Sequence, residues 1–112
     1  MININDFIEE TLKTINIPIR FQIYDEDETT YITYLQYLGQ NEKFSEDVEE
    51  IKGHYVQINV FSLGDYTDIV TQVELLMKDA DFKKTNETDL YEEKTHYFHK
   101  GLRYFYAEDL TI

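Results

Sequence analysis

The chain has 112 residues, of which 42% are apolar and 15% aromatic, and it carries 23 acids against 10 bases. That length holds one domain around one modest core, and so aromatic a composition is not that of a disordered chain. There is no cysteine, which excludes disulfides, thiolate metal sites and cysteine nucleophiles, and the net charge of −13 disfavours a surface that grips phosphates.

Residues 4–15 read as a first helix. Ile4, Ile8, Leu12 and Ile15 recur at helical spacing with Phe7 alongside, and Asn5 or Asn3 can cap the start. Pro18 forbids continuation. Ile19 to Ile23 alternates apolar and polar, as a short strand does. The acidic run Asp25-Glu26-Asp27-Glu28 is a turn or loop. Thr29 to Leu38, rich in Tyr, Ile and Thr, suits a pleated surface, with Ile32, Tyr34 and Leu38 on one side and Tyr31, Thr33, Leu35 and Tyr37 on the other. Gly39 to Lys52 is the longest stretch without a pattern and is expected to be a mobile loop.

Lys52 to Ser62 is the clearest strand: Val56, Ile58 and Val60 make one face, Tyr55, Gln57, Asn59 and Phe61 the other. Gly64 breaks it, and Asp65 can cap a helix to about Asp79 whose stripe is Ile69, Val70, Val73, Leu76, Met77 and Ala80. Phe82 to Tyr91 is a weaker strand, Glu92 to Thr95 a turn, Tyr97 to Tyr106 a strong strand, and 108–112 a tail. The expected fold is a single α+β domain over 1–112, in the order α-β-β-β-α-β-β. Its antiparallel sheet has four to five strands, and two helices pack on one face.

No catalytic residue emerges. The chain holds no Gly-x-Ser-x-Gly, phosphate loop or dinucleotide fingerprint, so no enzyme is expected. The three histidines, His54, His96 and His99, read as exposed strand residues, too few and wrongly spaced for zinc. The run from Asp25 lacks the glycine and the distal glutamate of a calcium loop; Gln36 stands in the last position. Neither metal nor cofactor is expected. The N-terminus has no basic region followed by an apolar run, which points to the cytoplasm of the cell that makes the chain.

Protein association is the function that the residues favour. A sheet with Tyr55 and Phe61 on the face opposite Val56, Ile58 and Val60 has more apolar surface than two short helices cover, and tyrosine is enriched at interfaces. Phe44, Val48 and Ile51, which the small core does not need, join Tyr55 and Phe61 as the candidate assembly interface. An alternative is an acidic imitator of DNA that blocks a nucleic-acid-binding protein, for which carboxylates would have to be spaced like phosphates over one face.

Three segments carry a resemblance: Thr30-Tyr31-Ile32-Thr33-Tyr34; Gly53 to Ser62 followed by a capped amphipathic helix; and Tyr91 to Tyr104, with its His99-Lys100-x-x-Arg103-Tyr104 ending. Over about residues 5–107 the chain resembles the tail completion or head-to-tail joining proteins of long-tailed (siphovirus-type) phages and prophages of Gram-positive bacteria. The resemblance implies a helix leading into an α/β sandwich. It also implies a homo-oligomeric, sixfold ring that caps the tail tube and binds the head connector, with no catalytic residue. The protein would then reside in the host cytoplasm during assembly and at the head–tail interface of the virion afterwards.

Overall fold

The computed structural model describes residues 1–42 and 50–110. Along the chain run α1 (Ile4–Leu12), β1 (Ile19–Phe21), β2 (Thr30–Glu42), β3 (Ile51–Ser62), α2 (Thr67–Asp79), β4 (Lys83–Glu92) and β5 (Tyr97–Asp109). The fold is α+β in the expected order of elements. The strands form one sheet in the order β1-β2-β3-β5-β4. β3 is central because both of its neighbours pair with it along its whole length. Tyr34↔Ile58↔Leu102 and Thr33↔Asn59↔Gly101 are two of the rows that result.

Strand side chains alternate, so these rows assign every residue a face. Ile32, Tyr34, Val56, Ile58, Val60, Leu102 and Tyr104 are buried on one face, against Ile4, Ile8 and Leu12 of α1 and Val73 and Met77 of α2. Asn3 caps α1 by accepting from the Asp6 amide at 3.2 Å. The helix is shorter than expected, ending at Leu12, yet Ile15 is still buried in the turn that follows. Asp65 acts just ahead of α2, accepting from the Thr67 amide at 2.9 Å, so the helix begins at Thr67 rather than at Asp65.

Four expectations need correction. β1 pairs with β2 in parallel, Ile19↔Ile32, rather than antiparallel. Gln22, with φ of 62°, turns the chain out of the sheet, and residues 22–29 carry it back to the level where β1 began. The stretch 39–52 is not irregular throughout. Gly39 to Glu42 extends β2 and Ile51 and Lys52 open β3, paired as Gly39↔His54, Gln40↔Gly53, Asn41↔Lys52 and Glu42↔Ile51. Its remaining part, 43–49, lies outside the described residues. Nor does a tail begin at 108, since β5 continues to Asp109 and Glu108 is 7% exposed.

The fourth correction concerns His54, which is 1% exposed rather than a surface residue. It occupies the same face as Val56 and Ile58, so the pleat turns it inward. Its Nδ1 accepts from the Gln36 amide and its Nε2 donates to Glu108 Oε1, each at 2.9 Å. Glu108 Oε2 accepts from the Ile2 amide, also at 2.9 Å. One buried chain of bonds thus ties β2, β3, β5 and the N-terminal residues together. Burial pushes the Glu108 pKa up, but the bonds from His54 and from the Ile2 amide, with the nearby terminal ammonium, outweigh it and hold the carboxyl below its ordinary value.

Ile58→Ala opens a cavity in a fully buried site and is expected to cost about 2–5 kcal/mol in a denaturant melt. Leu75→Ala on the exposed face of α2 should stay within about 0.5 kcal/mol; equal costs would mean that the faces are misassigned. Glu108→Gln should destabilise by about 1–3 kcal/mol at neutral pH, because His54 loses its charged acceptor. A depressed folded pKa stabilises above the ordinary value of 4.5, and that share is lost as pH falls through the folded value. Urea melts between neutral pH and pH ~3 should therefore show an acid limb that is shallower in Glu108→Gln.

Candidate interface on the open sheet face

No helix among the described residues covers the other face of the sheet. It carries Arg20 of β1; Tyr31, Thr33, Leu35, Tyr37 and, because the bulge before it shifts the register, Leu38 of β2, which was expected beside Ile32 and Tyr34 but pairs with Tyr55; Ile51, Tyr55, Gln57, Asn59 and Phe61 of β3; Tyr97, His99, Gly101, Arg103 and Phe105 of β5; and Asn86, Thr88 and Leu90 of β4. At one end Tyr24, Tyr31, Phe61 and His99 form a continuous stack, with successive ring centres 4.2, 4.8 and 4.2 Å apart. At the other end Tyr55 packs on Phe105 at 4.9 Å and on Tyr37 at 6.2 Å. Tyr37 is the extra residue of the β-bulge between Gln36 and Leu38, and its ring lies 4.7 Å from the Arg103 guanidinium.

An amide and hydroxyl network joins the two clusters. Asn59 Oδ1 accepts from Gln57 Nε2 at 2.7 Å and from His99 Nε2 at 2.9 Å, while Asn59 Nδ2 donates to Thr33 Oγ1 at 3.3 Å. Arg103 Nε donates to Gln57 Oε1 at 3.1 Å. Asn59 is 7% and Thr33 is 3% exposed, although no second layer among the described residues lies over them. The flanking aromatics and long side chains shield them. Burial holds His99 below its ordinary pKa, and with it the ring stays neutral on Phe61.

Of the proposed interface residues, Ile51, Tyr55 and Phe61 share this face. Tyr55 and Phe61 belong to opposite aromatic clusters, and Ile51 lies nearer the β2–β3 end, in the row Glu42–Ile51–Asp109. Phe44 and Val48 fall outside the described residues. The Tyr55 hydroxyl donates to Glu42 Oε1 at 2.5 Å, which raises the tyrosine pKa and lowers that of the carboxyl. Gly53 makes room for that carboxylate: a Cβ there would stand 2.9 Å from Glu42 Oε1. Tyr31, Tyr37, His99, Arg103 and Phe105 were not among the proposed residues. Carrying the β3 alternation across to β5 would have found the last three, since 99, 103 and 105 share the parity that faces away from the core.

The charge pattern of this face differs from that of the rest of the chain. From the row of Tyr31 to the row of Tyr55 it presents no carboxylate among the described residues; Glu42, Asp109 and Glu92 stand only at its two ends. Of the two arginines in its rows, Arg103 makes no ion pair among the described residues, whereas Arg20 at the β1 edge pairs with Glu26; Lys13, Lys84 and Lys100 are paired as well. Aromatics, amides and an unpaired arginine with carboxylates kept away are the composition of an interface centre. No group of three or more metal-ligating side chains gathers among the described residues, and none of their helices is long and apolar enough to cross a membrane.

No protein-family model matches the chain, and no curated protein matches its sequence. A solved chain from the "Virion of native gene transfer agent (GTA) particle" is similar in fold, with a TM-score of 0.57 and 11% identity over 91% of this chain and 84% of that one.

Asn59→Ala removes the shared acceptor of Gln57 and His99 and is expected to cost about 1–3 kcal/mol despite the uncovered face. Thermal or urea melts check this; a neutral result would show that water replaces the network at no cost.

Proposed function

We propose that this chain is a structural protein of a long-tailed bacterial virus or prophage. It would act without catalysis, through protein contacts on the open sheet face, at tail completion or head-to-tail joining. The observation that carries the reading is the aromatic face whose strands hold no acid between the rows of Tyr31 and Tyr55, on a chain of net charge −13. A face built that way loses less on desolvation than a carboxylate surface would, and its stacked tyrosines bury area with little loss of side-chain entropy. The fold likeness to a chain of a gene transfer agent virion supports a place in such a particle.

On this reading copies assemble as a ring that contacts the tail tube on one side and the head connector on the other. The acidity suits a ring around passing DNA, because carboxylates repel phosphates. Imitation of DNA would need rows of carboxylates over a face, and the open face is where they are missing.

The test is genetic and microscopic. Replacing Tyr31, Tyr55 and Phe61 together by Ser in the encoding virus should leave the chain folded by circular dichroism. Full capsids and separate tails should accumulate, with few joined particles in electron micrographs. Antibody against the chain should mark the head–tail junction of wild-type particles. Normal joined particles after deletion of the whole gene would end this reading.

A further inference from the structure

We infer that copies of this chain associate head to tail, the acidic strip that follows β1 in one copy seating in the groove beside Arg103 in the next. The inference rests on the open face being an assembly surface and names the contact that it makes.

The receiving side is a groove of about 290 Å³ on the β4 side of the open face, lined by Gln57, Asn86, Thr88, Leu90, His99 and Arg103. It exists because Gly101 interrupts the β5 row between His99 and Arg103. A Cβ at Gly101 would come within 3.4 Å of the Gln57 amide and fill the floor. Arg103 is held from two sides, by Gln57 on its Nε and by the Tyr37 ring under its guanidinium. Its terminal nitrogens meet no carboxylate among the described residues, in a chain of 23 acids. A fixed guanidinium with its fork unoccupied, among amides and a hydroxyl, is built to take a carboxylate.

The donating side lies at the opposite edge. Gln22 turns the chain outward with φ of 62°, and the next residue, Ile23, is 72% exposed. Asp25, Glu26, Asp27 and Glu28 follow, all exposed. Arg20 pairs with Glu26 at 2.9 Å, and Asp25, Asp27 and Glu28 have no ion-pair partner among the described residues. An exposed apolar side chain beside unpaired carboxylates complements Leu90, which is 52% exposed and lines the same groove as Arg103.

The two sides stand at the same level of the sheet. The row Arg20–Thr33–Asn59–Gly101–Thr88 runs straight across the strands from one edge to the other. Displacing a copy sideways, across the strands, therefore brings its β1 edge alongside the β4 edge of its neighbour. β1 and β4 are the two ends of the strand order, and β4 runs antiparallel to β1. A contact between two different surfaces at opposite edges is heterologous, so each copy keeps one free donor and one free acceptor for the next. Phosphate could also satisfy Arg103. The groove, however, offers a single arginine on a strongly acidic chain, while its complement is present on the chain itself.

The absence of cysteine makes the test direct. In the full chain carrying Asp27→Cys and Thr88→Cys, mild oxidation at low salt should give a ladder of covalent oligomers. A mixture of the two single variants should give dimers, and either variant alone should give none. Arg103→Glu in the double-cysteine chain should lower ladder yield roughly tenfold, and so should Asp25→Lys with Glu28→Lys. Both reversals in one chain should restore it, which simple misfolding would not. The inference is overturned if a well-folded double-cysteine chain gives no ladder, if single variants link as readily as the pair, or if the charge reversals leave the yield unchanged. Binding of a labelled single-stranded oligonucleotide that is lost in Arg103→Glu would assign the groove to nucleic acid and also overturn it. If the ladder is absent while the open-face serine variant still blocks joining of heads and tails, only the head-to-tail contact fails and the assembly reading stands.

Discussion

Full-length pairing of β3 with β2 and β5 is the constraint on which the rest of the molecule depends. A side-chain period of two means that one register decides the face of every residue in the three strands, and a slip of one residue would exchange core and surface. With Ile58 between Tyr34 and Leu102, the apolar rows fall under the helices and the rows of Asn59 and Gln57 face away. The buried bonds of His54 and Glu108 reinforce that choice. A slipped register would carry both groups to the open face and separate them from Gln36 and the Ile2 amide. Polar pairs inside an apolar face add little net stability, but they penalise the wrong arrangement.

The parts of the fold that a periodicity carries were legible in the residues. The alternation of Val56, Ile58 and Val60 and the helical stripe around Val73 and Met77 agree with the burial seen. Where a pattern is short, local reasoning fails. Three residues of β1 cannot reveal whether they pair parallel or antiparallel, and the direction is set by the left-handed turn at Gln22. Gly39 to Glu42 looks like a loop because its residues have weak strand preference, yet the ladder to β3 holds it extended. For His54, residue type suggests the surface, while its parity with Val56 places it inside. The candidate face was legible only in part, because His99 and Arg103 join Asn59 and Gln57 through strand order, which no single segment contains.

Charge is distributed with the same economy of position. Among the described residues, acids are absent from the core apart from the bonded Glu108, and absent from the middle of the open face. They stand instead on the helices, in the loop after β1, along β4 and at the sheet ends. Glu87 and Asp89 point to the helix side of β4, where Lys100 meets them at 2.8 and 3.2 Å. Such charges keep an uncovered sheet soluble and discourage random pairing at its edges without interrupting the aromatic rows. The bulge between Lys84 and Asn86 serves the same end by breaking the regular spacing of the β4 edge.

Helix length explains why one face must stay open. α1 has 9 residues and α2 has 13, against three strands of 12 or 13. At about 1.5 Å per helical residue and about 3.3 Å per strand residue, the helices together extend little more than ~30 Å beside strands of ~40 Å. Two rods of that size can close one face of a sheet and leave none of their surface for the other. A chain with no further use for the second face would be expected to make it polar, as antiparallel sheets with one wet face do. Here that face holds Tyr31 stacked on Phe61 and Tyr55 tilted against Phe105, each only partly buried, with arginine and amides between them and carboxylates at the margins. Aromatic area retained at that cost in solubility is what a second layer from another protein surface would cover, which is the physical basis of the assembly role proposed above.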